Sequence, residues 1–151
     1  MREKLLMKNG GEAEVHLFSA SLIHVIPDGL NGRFPKNRLL FRAIRGYWLC
    51  YVIYRDELIS YAFFKKNYLL KYRFMHRKDV LINPYYVSPQ YRGHRLGGKL
   101  LNVALSSDRF VWRKAFALVK KNNAPSIRTL QKIGFSLVGY AKNLLGAIIY
   151  H

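Results

Sequence analysis

Acidic side chains are scarce in this chain. Its 151 residues include 26 Lys and Arg but 8 Asp and Glu, so the formal net charge is +18 at pH 7. Such an excess favours anionic partners, although charge alone does not distinguish RNA, phospholipid headgroups and sugar nucleotides. The scarcity also restricts the choice of a catalytic carboxylate, because none lies between residues 80 and 107 or after Asp108.

Cysteine and long apolar runs are equally rare. The single Cys50 cannot form an internal disulfide, so we expect a buried thiol and a cytoplasmic location. No apolar run approaches the roughly 20 residues of a membrane-spanning helix, and residues 1–8 are too short for a signal peptide, so we expect a soluble or peripheral protein. The length suits one hydrophobic core, which predicts a single domain over residues 1–151. The spacing of the histidines indicates no metal site.

A turn rich in glycine and arginine, with the sequence VSPQYRGHRLGGKLL, begins at Val87. Tyr85 and Tyr86 favour an extended backbone, and Pro89 ends that strand. The leucine spacing that begins at Leu96 predicts a helix. Backbone N–H groups at a helix start have no intrahelical partners and attract phosphate groups. The segment is therefore interpreted as an anion-binding turn between a strand and a helix.

A second segment, NNAPSIRTLQKIGF, has both ends of a helix marked. Asn123 or Ser126 can cap its start, and Gly134 can end it. It lies between the apolar run Ala115–Val119 and the extended run Ser136–Tyr140. The order strand, helix, strand therefore occurs again, which predicts an α/β fold.

Together these segments resemble the GNAT superfamily of N-acetyltransferases, in which V-x-P-x-x-R-G-x-G-x-G-x-x-L-L is followed by N-x-x-S-I-x-x-x-x-K-x-G-F. The resemblance is clear over residues 79–140. It implies a mixed, mostly antiparallel central sheet flanked by helices, and direct transfer of an acetyl group from acetyl-CoA to an amine. A small amine, an amino sugar and a protein amine are the candidate acceptors. The matching residues are Val87, Pro89, Arg92, Gly93, Gly97, Leu100, Leu101, Asn123, Ser126, Ile127, Lys132, Gly134 and Phe135.

The resemblance also implies where acetyl-CoA lies. The backbone of Tyr85, Tyr86 and Val87 would pair with the pantetheine arm. Asn123 and Ser126 would lie close to that arm or to its phosphate. Lys99 would offer charge to the nucleotide end. The turn that would hold the pyrophosphate comprises Arg92, Gly93, His94, Arg95, Leu96, Gly97 and Gly98.

Two positions depart from the family pattern. Arg95 replaces the middle glycine of the turn. A negative φ would leave Arg95 unstrained with its guanidinium free to reach a CoA phosphate, whereas a positive φ would cost about 1 kcal/mol. Leu130 stands where many relatives carry a tyrosine that protonates the departing thiolate, so that acid is absent from its usual position.

Few side chains are available for proton transfer. Where many relatives keep a catalytic glutamate, this strand reads Asn-Pro-Tyr-Tyr at residues 83–86, so we expect no carboxylate base there. A histidine in an apolar run, such as His24, is more often a packing residue than a catalyst. The candidate acids are Tyr85, Tyr86 and Tyr140, and the candidates on the accepting side are Asn83 with a bound water and His24.

Extended apolar runs predict the sheet. Trp48–Tyr54 and Leu58–Phe64 are expected to form an antiparallel hairpin. Tyr68–Met75 is expected to be extended and to lead into the strand Val80–Val87, with parallel pairing only at the end of the sheet. In the N-terminal third we expect a helix and a loop, at Ser19–Ile26 and Pro27–Lys36.

The densest group of basic residues is interleaved with aromatic side chains. It is either a surface that binds phosphates and bases or a half-buried strand with one solvated face. The alternative function is therefore a nucleic-acid-binding module on a GNAT scaffold, or an acetyltransferase for an RNA-linked amine. The acceptor is expected to be anionic or to be linked to an anionic carrier. A homodimer is the candidate oligomeric state. The group comprises Lys65, Lys66, Lys71, Arg73, Arg77 and Lys78, with Tyr68, Tyr72 and Phe74.

Overall fold

The computed structural model describes residues 2–7, 10–19, 47–66, 72–108, 111–141 and 147–150. The strands in these ranges are β1 (Arg2–Leu6), β2 (Glu12–Ser19), β3 (Trp48–Tyr54), β4 (Glu57–Lys66), β5 (Val80–Val87), β6 (Ala115–Lys120), β7 (Leu137–Ala141) and β8 (Ala147–Tyr150). The helices are α1 (Leu96–Leu105) and α2 (Ala124–Lys132), and a 3₁₀ turn spans Pro89–Tyr91. The predicted helix Ser19–Ile26 is wrong at Ser19, which is the last residue of β2. The rest of that segment, including His24, and the predicted loop Pro27–Lys36 lie outside the described residues.

The described strands form one sheet of eight, in the order β1-β2-β3-β4-β5-β6-β8-β7. The pairs from β1 to β5 are antiparallel, β5 and β6 are parallel, and β8 pairs antiparallel with both β6 and β7. This arrangement confirms the predicted mixed, mostly antiparallel sheet. The hairpin of β3 and β4 closes through Arg55 and Asp56, which both have positive φ, as a two-residue type I′ turn requires.

One extended prediction is wrong over its described part. Residues 72–75 form a turn, in which the Met75 N–H donates to the Tyr72 carbonyl at 3.2 Å. The His76 N–H donates to a carboxylate oxygen of Asp79 and closes the next turn. These local bonds use backbone groups that a strand would direct to a neighbour. Residues 68–71 lie outside the described ranges.

The main core lies on the face of the sheet that α1 covers. Leu96, Leu100 and Leu101 of α1 are buried there, and Leu130 of α2 joins them. Cys50 is buried in the same core, as expected. The burial of these leucines follows from helical spacing, which places them on one side of α1. The helix start is thereby held against the sheet at the level of β5.

A buried carboxylate holds the start of β5 to the start of β6. Asp79 accepts two hydrogen bonds from the Arg113 guanidinium, at 2.8 and 3.0 Å, and a third from the His76 N–H at 2.6 Å. Burial alone would raise the pKa of Asp79, but the bonds from Arg113 and His76 outweigh it and lower the pKa. The Val80 N–H also donates to the Lys114 carbonyl at 2.9 Å. This end of β5 is therefore fixed on both sides.

Candidate active site

The pairing of β5 with β6 stops partway along both strands. The parallel ladder runs from Val80 with Ala115 to Ile82 with Ala117. Both strands continue, to Val87 and Lys120, but no further pair joins them in the described part of the chain. The facing edges therefore separate and leave an opening beside the C-terminal half of β5.

An irregularity in β5 marks the start of this opening. Against β4, the register passes from Phe64 with Ile82 to Ala62 with Tyr85. Two residues of β5, Asn83 and Pro84, thus face a single residue of β4, which is the geometry of a β-bulge. Pro84 has no N–H, and its peptide bond with Asn83 is cis. Asn83 is exposed and lies where β5 leaves β6.

The backbone beyond the bulge presents polar groups to the opening. The Ser88 N–H donates to the Ile59 carbonyl at 2.8 Å, so it points toward β4. Because backbone direction alternates along a strand, the N–H groups of Tyr85 and Val87 point the other way, into the opening. The Val87 carbonyl accepts a hydrogen bond from Arg92 Nε at 3.2 Å. Among the described residues, the Tyr85 and Val87 amides have no hydrogen-bond acceptor, so they are available to a bound ligand.

The turn before α1 adds a second group of free donors. Gly93 and Arg95 both have positive φ, +80° and +59°. The first bond of the helix runs from the Lys99 N–H to the Arg95 carbonyl at 3.1 Å. The N–H groups of Leu96, Gly97 and Gly98 therefore precede the first intrahelical donor, and such groups attract anions. Alternation between left-handed and ordinary residues also forms concave anion sites known as nests.

Arg95 adopts the strained one of its two predicted conformations. At φ 59° and ψ 15° it is left-handed, and it is the N-cap residue of α1 without a side-chain capping bond. A left-handed backbone at this non-glycine residue costs about 1 kcal/mol of conformational free energy. Because the Arg95 side chain is exposed, its positive charge lies at the mouth of the turn.

His94 is the one side chain in the turn with an unsatisfied buried atom. Its Nδ1 is buried and has no hydrogen-bond partner in the described part of the chain. Buried polar atoms normally have a partner, so an unpartnered one in this turn fits a bound acceptor such as a phosphate oxygen. The His94 side chain is therefore compatible with a phosphate group in the turn, independently of the backbone N–H groups.

Two glycines allow α1 to lie close to its neighbours. A Cβ at Gly97 would lie 3.3 Å from Val87 Cγ2 and 3.4 Å from Tyr85 Cε2. A Cβ at Gly98 would lie 3.2 Å from Ile133 Cγ2, next to α2. Gly97 therefore sets the approach of α1 to β5, whereas Gly98 sets its approach to the segment after α2.

Three further predicted cofactor residues occupy distinct places. The Lys99 ammonium donates to the Leu6 carbonyl at 2.8 Å, so it is directed toward β1. Asn123 caps α2, since its Oδ1 accepts from the Ser126 N–H at 3.3 Å. Asn123 follows β6 by three residues. The start of α2 and the start of α1 therefore follow the two strands that separate.

The candidate catalytic residues do not all lie together. Asn83 lies in the bulge of β5 and Tyr85 follows it, and the Tyr85 ring reaches the first turn of α1. Tyr86 lies on the opposite face, where its ring stacks on Tyr61 with centroids 5.4 Å apart. Tyr140 is 66% exposed on β7, and β6 and β8 intervene between β7 and β5. Its strand is therefore about 14 Å or more from β5, given the spacing of strands in a sheet.

Sequence reasoning missed one residue that positions this site. Ser60 of β4 is fully buried, and its hydroxyl donates to the Tyr86 carbonyl at 2.8 Å. The bond fixes β5 immediately beside the open amides of Tyr85 and Val87. A serine inside the apolar run ELISYAFF was the available signal, because a buried hydroxyl requires a partner.

The family model of the acetyltransferase (GNAT) family matches residues 17–135. The chain belongs to the GNAT acetyltransferase family. It is therefore an acyltransferase by class, as the two sequence motifs predicted. No curated protein matches the sequence significantly.

Solved structures of GNAT proteins share this fold. The GNAT domain of PAT from S. lividans has a TM-score of 0.70 at 12% identity, with 99% of this chain and 94% of that chain covered. The yncA protein of Salmonella typhimurium, solved with its cofactor acetyl-CoA, has a TM-score of 0.61 at 24% identity over 76% and 70% of the two chains. The PaiA N-acetyltransferase of Thermoplasma acidophilum, solved with coenzyme A, has a TM-score of 0.60 at 16% identity over 80% and 73%. These complexes agree with the acetyl-CoA predicted from the sequence.

Proposed function

We propose that this GNAT protein binds acetyl-CoA in the opening between β5 and β6 and transfers the acetyl group directly to an amine. The observation that carries the proposal is the end of the β5–β6 ladder at Ile82 and Ala117, beside the start of α1. One strand edge and one helix start there present free N–H groups to the same opening. Acetyl-CoA needs this combination of donors, because its extended pantetheine arm leads to a pyrophosphate.

The residues of the opening fit acetyl-CoA, which supplies an activated acetyl thioester when bound. The amides of Tyr85 and Val87 would donate to the carbonyl groups of the arm, as an added strand does. The amides from Gly93 to Gly98 would hold the pyrophosphate, with His94 Nδ1 as a further donor, whereas the Arg92 N–H already donates to the Pro89 carbonyl at 3.2 Å. We assign Arg95 and Lys99 to long-range attraction of the phosphates, and Asn123 and Ser126 to the arm.

Proton transfer is proposed to involve Tyr85 and Asn83. Acetyl transfer to an amine requires that one proton leaves the nitrogen and that the sulfur product is protonated or tolerated. Tyr85 is the candidate tyrosine whose ring lies against Gly97 in the first turn of α1, so we propose it as the acid. Asn83 lies at the fork of β5 and β6, so we propose that it orients a water that accepts the amine proton. Tyr140 is a remote candidate, because two strands intervene.

We propose a small amine or an amino sugar as the acceptor class, with a protein amine as the next candidate. The net charge of +18 favours an acceptor that is anionic or is linked to an anionic carrier. With 8 Asp and Glu in the sequence, the chain has few side chains to recognise a polycationic acceptor by ion pairing. We also propose that the enzyme works in the cytoplasm, because a chain with a single cysteine cannot form an internal disulfide.

Calorimetric titration of acetyl-CoA and of CoA tests the proposal without a known acceptor. The protein should first be freed of nucleic acid, and the titration should be repeated at two salt concentrations. We expect micromolar binding that weakens at high salt because of the phosphate contacts. The absence of binding at both salt concentrations would contradict the proposal and favour the nucleic-acid-binding module.

The acid role of Tyr85 has a separate readout. Once an acceptor is found, Tyr85→Phe should lower kcat, remove the alkaline limb of its pH profile and leave acetyl-CoA affinity within about twofold. An unchanged profile would exclude Tyr85 as the acid. The same substitution at Tyr140 is the matched comparison.

A further inference from the structure

The segments around the N-terminal end of β5 expose both basic and apolar side chains. We define the basic rim as the exposed residues Arg73, Phe74, Arg77, Lys78, Val111, Arg113 and Lys114. It lies at the end of the sheet opposite the acetyl-CoA opening. The proposed acetyl transfer makes no use of it.

Hydrogen bonds bring the two halves of the rim together. The Arg113 N–H donates to the Lys78 carbonyl at 3.0 Å, and the Lys114 carbonyl accepts from Val80 at 2.9 Å. The ring of Phe74 packs edge-on against Phe116 of β6, with centroids 5.6 Å apart. Segments that are some forty residues apart in sequence therefore form one continuous surface.

Hydrogen bonds within the chain hold one corner of the rim. Asp79 accepts from the His76 N–H and from Arg113, and the Lys78 N–H lies 3.2 Å from His76 Nδ1. These bonds fix the corner of the turn that exposes Arg77 and Lys78. Asp79 is fully buried and, in the part of the chain that the structure describes, pairs with Arg113 alone, so it does not offset the charge of the other rim cations.

Apolar exposure decides which anionic partner fits. Phe74 is 43% exposed and Val111 is 76% exposed, although both lie among cations. An aromatic ring could stack on a nucleic-acid base, but an exposed valine adds nothing to base stacking. Both side chains gain free energy when they enter the boundary between lipid headgroups and acyl chains. Basic residues at the same level are attracted to anionic headgroups.

We infer that the basic rim binds the surface of an anionic lipid bilayer. The residues from Val80 to Val87 span about 23 Å of extended chain, so the rim and the acetyl-CoA opening are separate sites. Binding at the rim therefore goes beyond the proposed transfer reaction and does not require it. A protein held in this way would present its opposite end, with the opening, away from the bilayer.

Vesicle sedimentation with the full chain tests the inference. The vesicles contain phosphatidylcholine alone, or phosphatidylcholine with about one third phosphatidylglycerol. We expect binding to the anionic vesicles at low salt, weaker binding at high salt, and little binding to the neutral vesicles. The double variant with Arg77→Ala and Lys78→Ala should bind about 30-fold more weakly, since each cation near the surface contributes a factor of about five.

A matched control separates the rim from general charge. Arg128→Ala with Lys132→Ala removes the same two charge types from exposed positions of α2, and it should weaken vesicle binding by less than about threefold. Val111→Ser keeps the charge and should weaken vesicle binding severalfold. Thermal unfolding and the stabilisation by acetyl-CoA should be the same for all variants, which shows that each is folded.

Three results would overturn the inference. The first is equal loss of vesicle binding in the rim and control variants, which would assign the binding to net charge alone. The second is no effect of Val111→Ser, which would remove the apolar contact. The third is tighter binding to a single-stranded RNA oligonucleotide than to anionic vesicles, abolished by the rim variant, which would make the rim a nucleic-acid site.

Discussion

The two ends of β5 are built in opposite ways. At the N-terminal end, Val80–Ile82 pairs with β4 on one side and with β6 on the other. At the C-terminal end, Tyr85–Val87 keeps the partner on the β4 side and has no strand on the β6 side among the described residues. One strand thus provides a rigid attachment at one end and free backbone donors at the other.

The difference shows how the fold places the site. A fully paired strand has no amide to offer a ligand, whereas an unpaired one in water would be an edge that invites aggregation. The bulge at Asn83 and Pro84 separates the two halves, and the buried Asp79–Arg113 pair holds the closed half in place. The open half can then stay unpaired without loss of the sheet around it.

The largest expected effect is a loss of stability at the N-terminal end of β5, which is paired on both sides. Asp79→Asn should reduce the free energy of unfolding by about 2–3 kcal/mol, less than for a fully buried ion pair because Arg113 is half exposed. Chemical denaturation measures this loss. Acetyl-CoA affinity of the folded variant should stay within about twofold, and a larger change would show that the two ends are coupled.

The same pair predicts an acid sensitivity. The folded pKa of Asp79 lies below its ordinary value, so the contribution of Asp79 to stability is complete above the unfolded pKa of about 3.9. That contribution is lost as the pH falls through the folded pKa. Denaturation measured between neutral pH and the acid range should therefore converge for the native protein and Asp79→Asn, and parallel curves would contradict the assignment.

The next effect is on the open end. Gly97→Val should weaken acetyl-CoA binding by at least about 10-fold, because its side chain would push α1 away from Tyr85 and Val87. Stability should fall by about 1–3 kcal/mol. Gly98→Ala adds a methyl group toward Ile133 instead and should weaken binding much less. Equal losses of binding in the two variants would show that the close contact between β5 and α1 at Gly97 does not shape the cofactor site.

A smaller effect is expected at the start of α2. Asn123→Ala should cost about 1 kcal/mol of stability through the lost N-cap, and should raise KM for acetyl-CoA severalfold. Asn123→Ser should recover the stability, since serine also caps. If it recovers KM as well, Asn123 acts by holding α2 rather than by touching the cofactor.

The smallest effect concerns Arg95. Arg95→Gly removes the left-handed strain and should leave stability unchanged or raise it by up to about 1 kcal/mol. Acetyl-CoA affinity should fall severalfold at low salt and little at high salt, because a charge near the phosphates is lost. Arg95→Asn, which tolerates the same backbone, is the control. A clear loss of stability in Arg95→Gly would contradict the assigned strain.

Local patterns predicted much of this molecule. Helical leucine spacing predicted α1, the cap and stop residues predicted α2, and two apolar runs predicted the hairpin of β3 and β4. The alternation of apolar and basic residues led to a wrong prediction of extended structure at Tyr72–Met75, where hydrogen bonds within a local turn form instead. The same alternation at Ala13, Val15 and Leu17 was a true signal for β2 that went unused.

The remaining features depend on tertiary structure. The strand β8 follows β7 in sequence but lies between β7 and β6 in the sheet, which moves Tyr140 away from β5. No local pattern reveals that insertion. The sign of φ at Arg95 and the free Nδ1 of His94 likewise arise from how the turn packs against its neighbours.

The most direct test follows single amides by nuclear magnetic resonance. Acetyl-CoA should be titrated into the isotopically labelled protein while the exchange of backbone amides is measured. We predict shifts and new protection at Tyr85 and Val87, together with Gly97 and Gly98, and no change at Val80–Ile82, which is already protected. Binding that leaves the Tyr85 and Val87 amides unchanged would contradict the claim that the open half of β5 is the cofactor site.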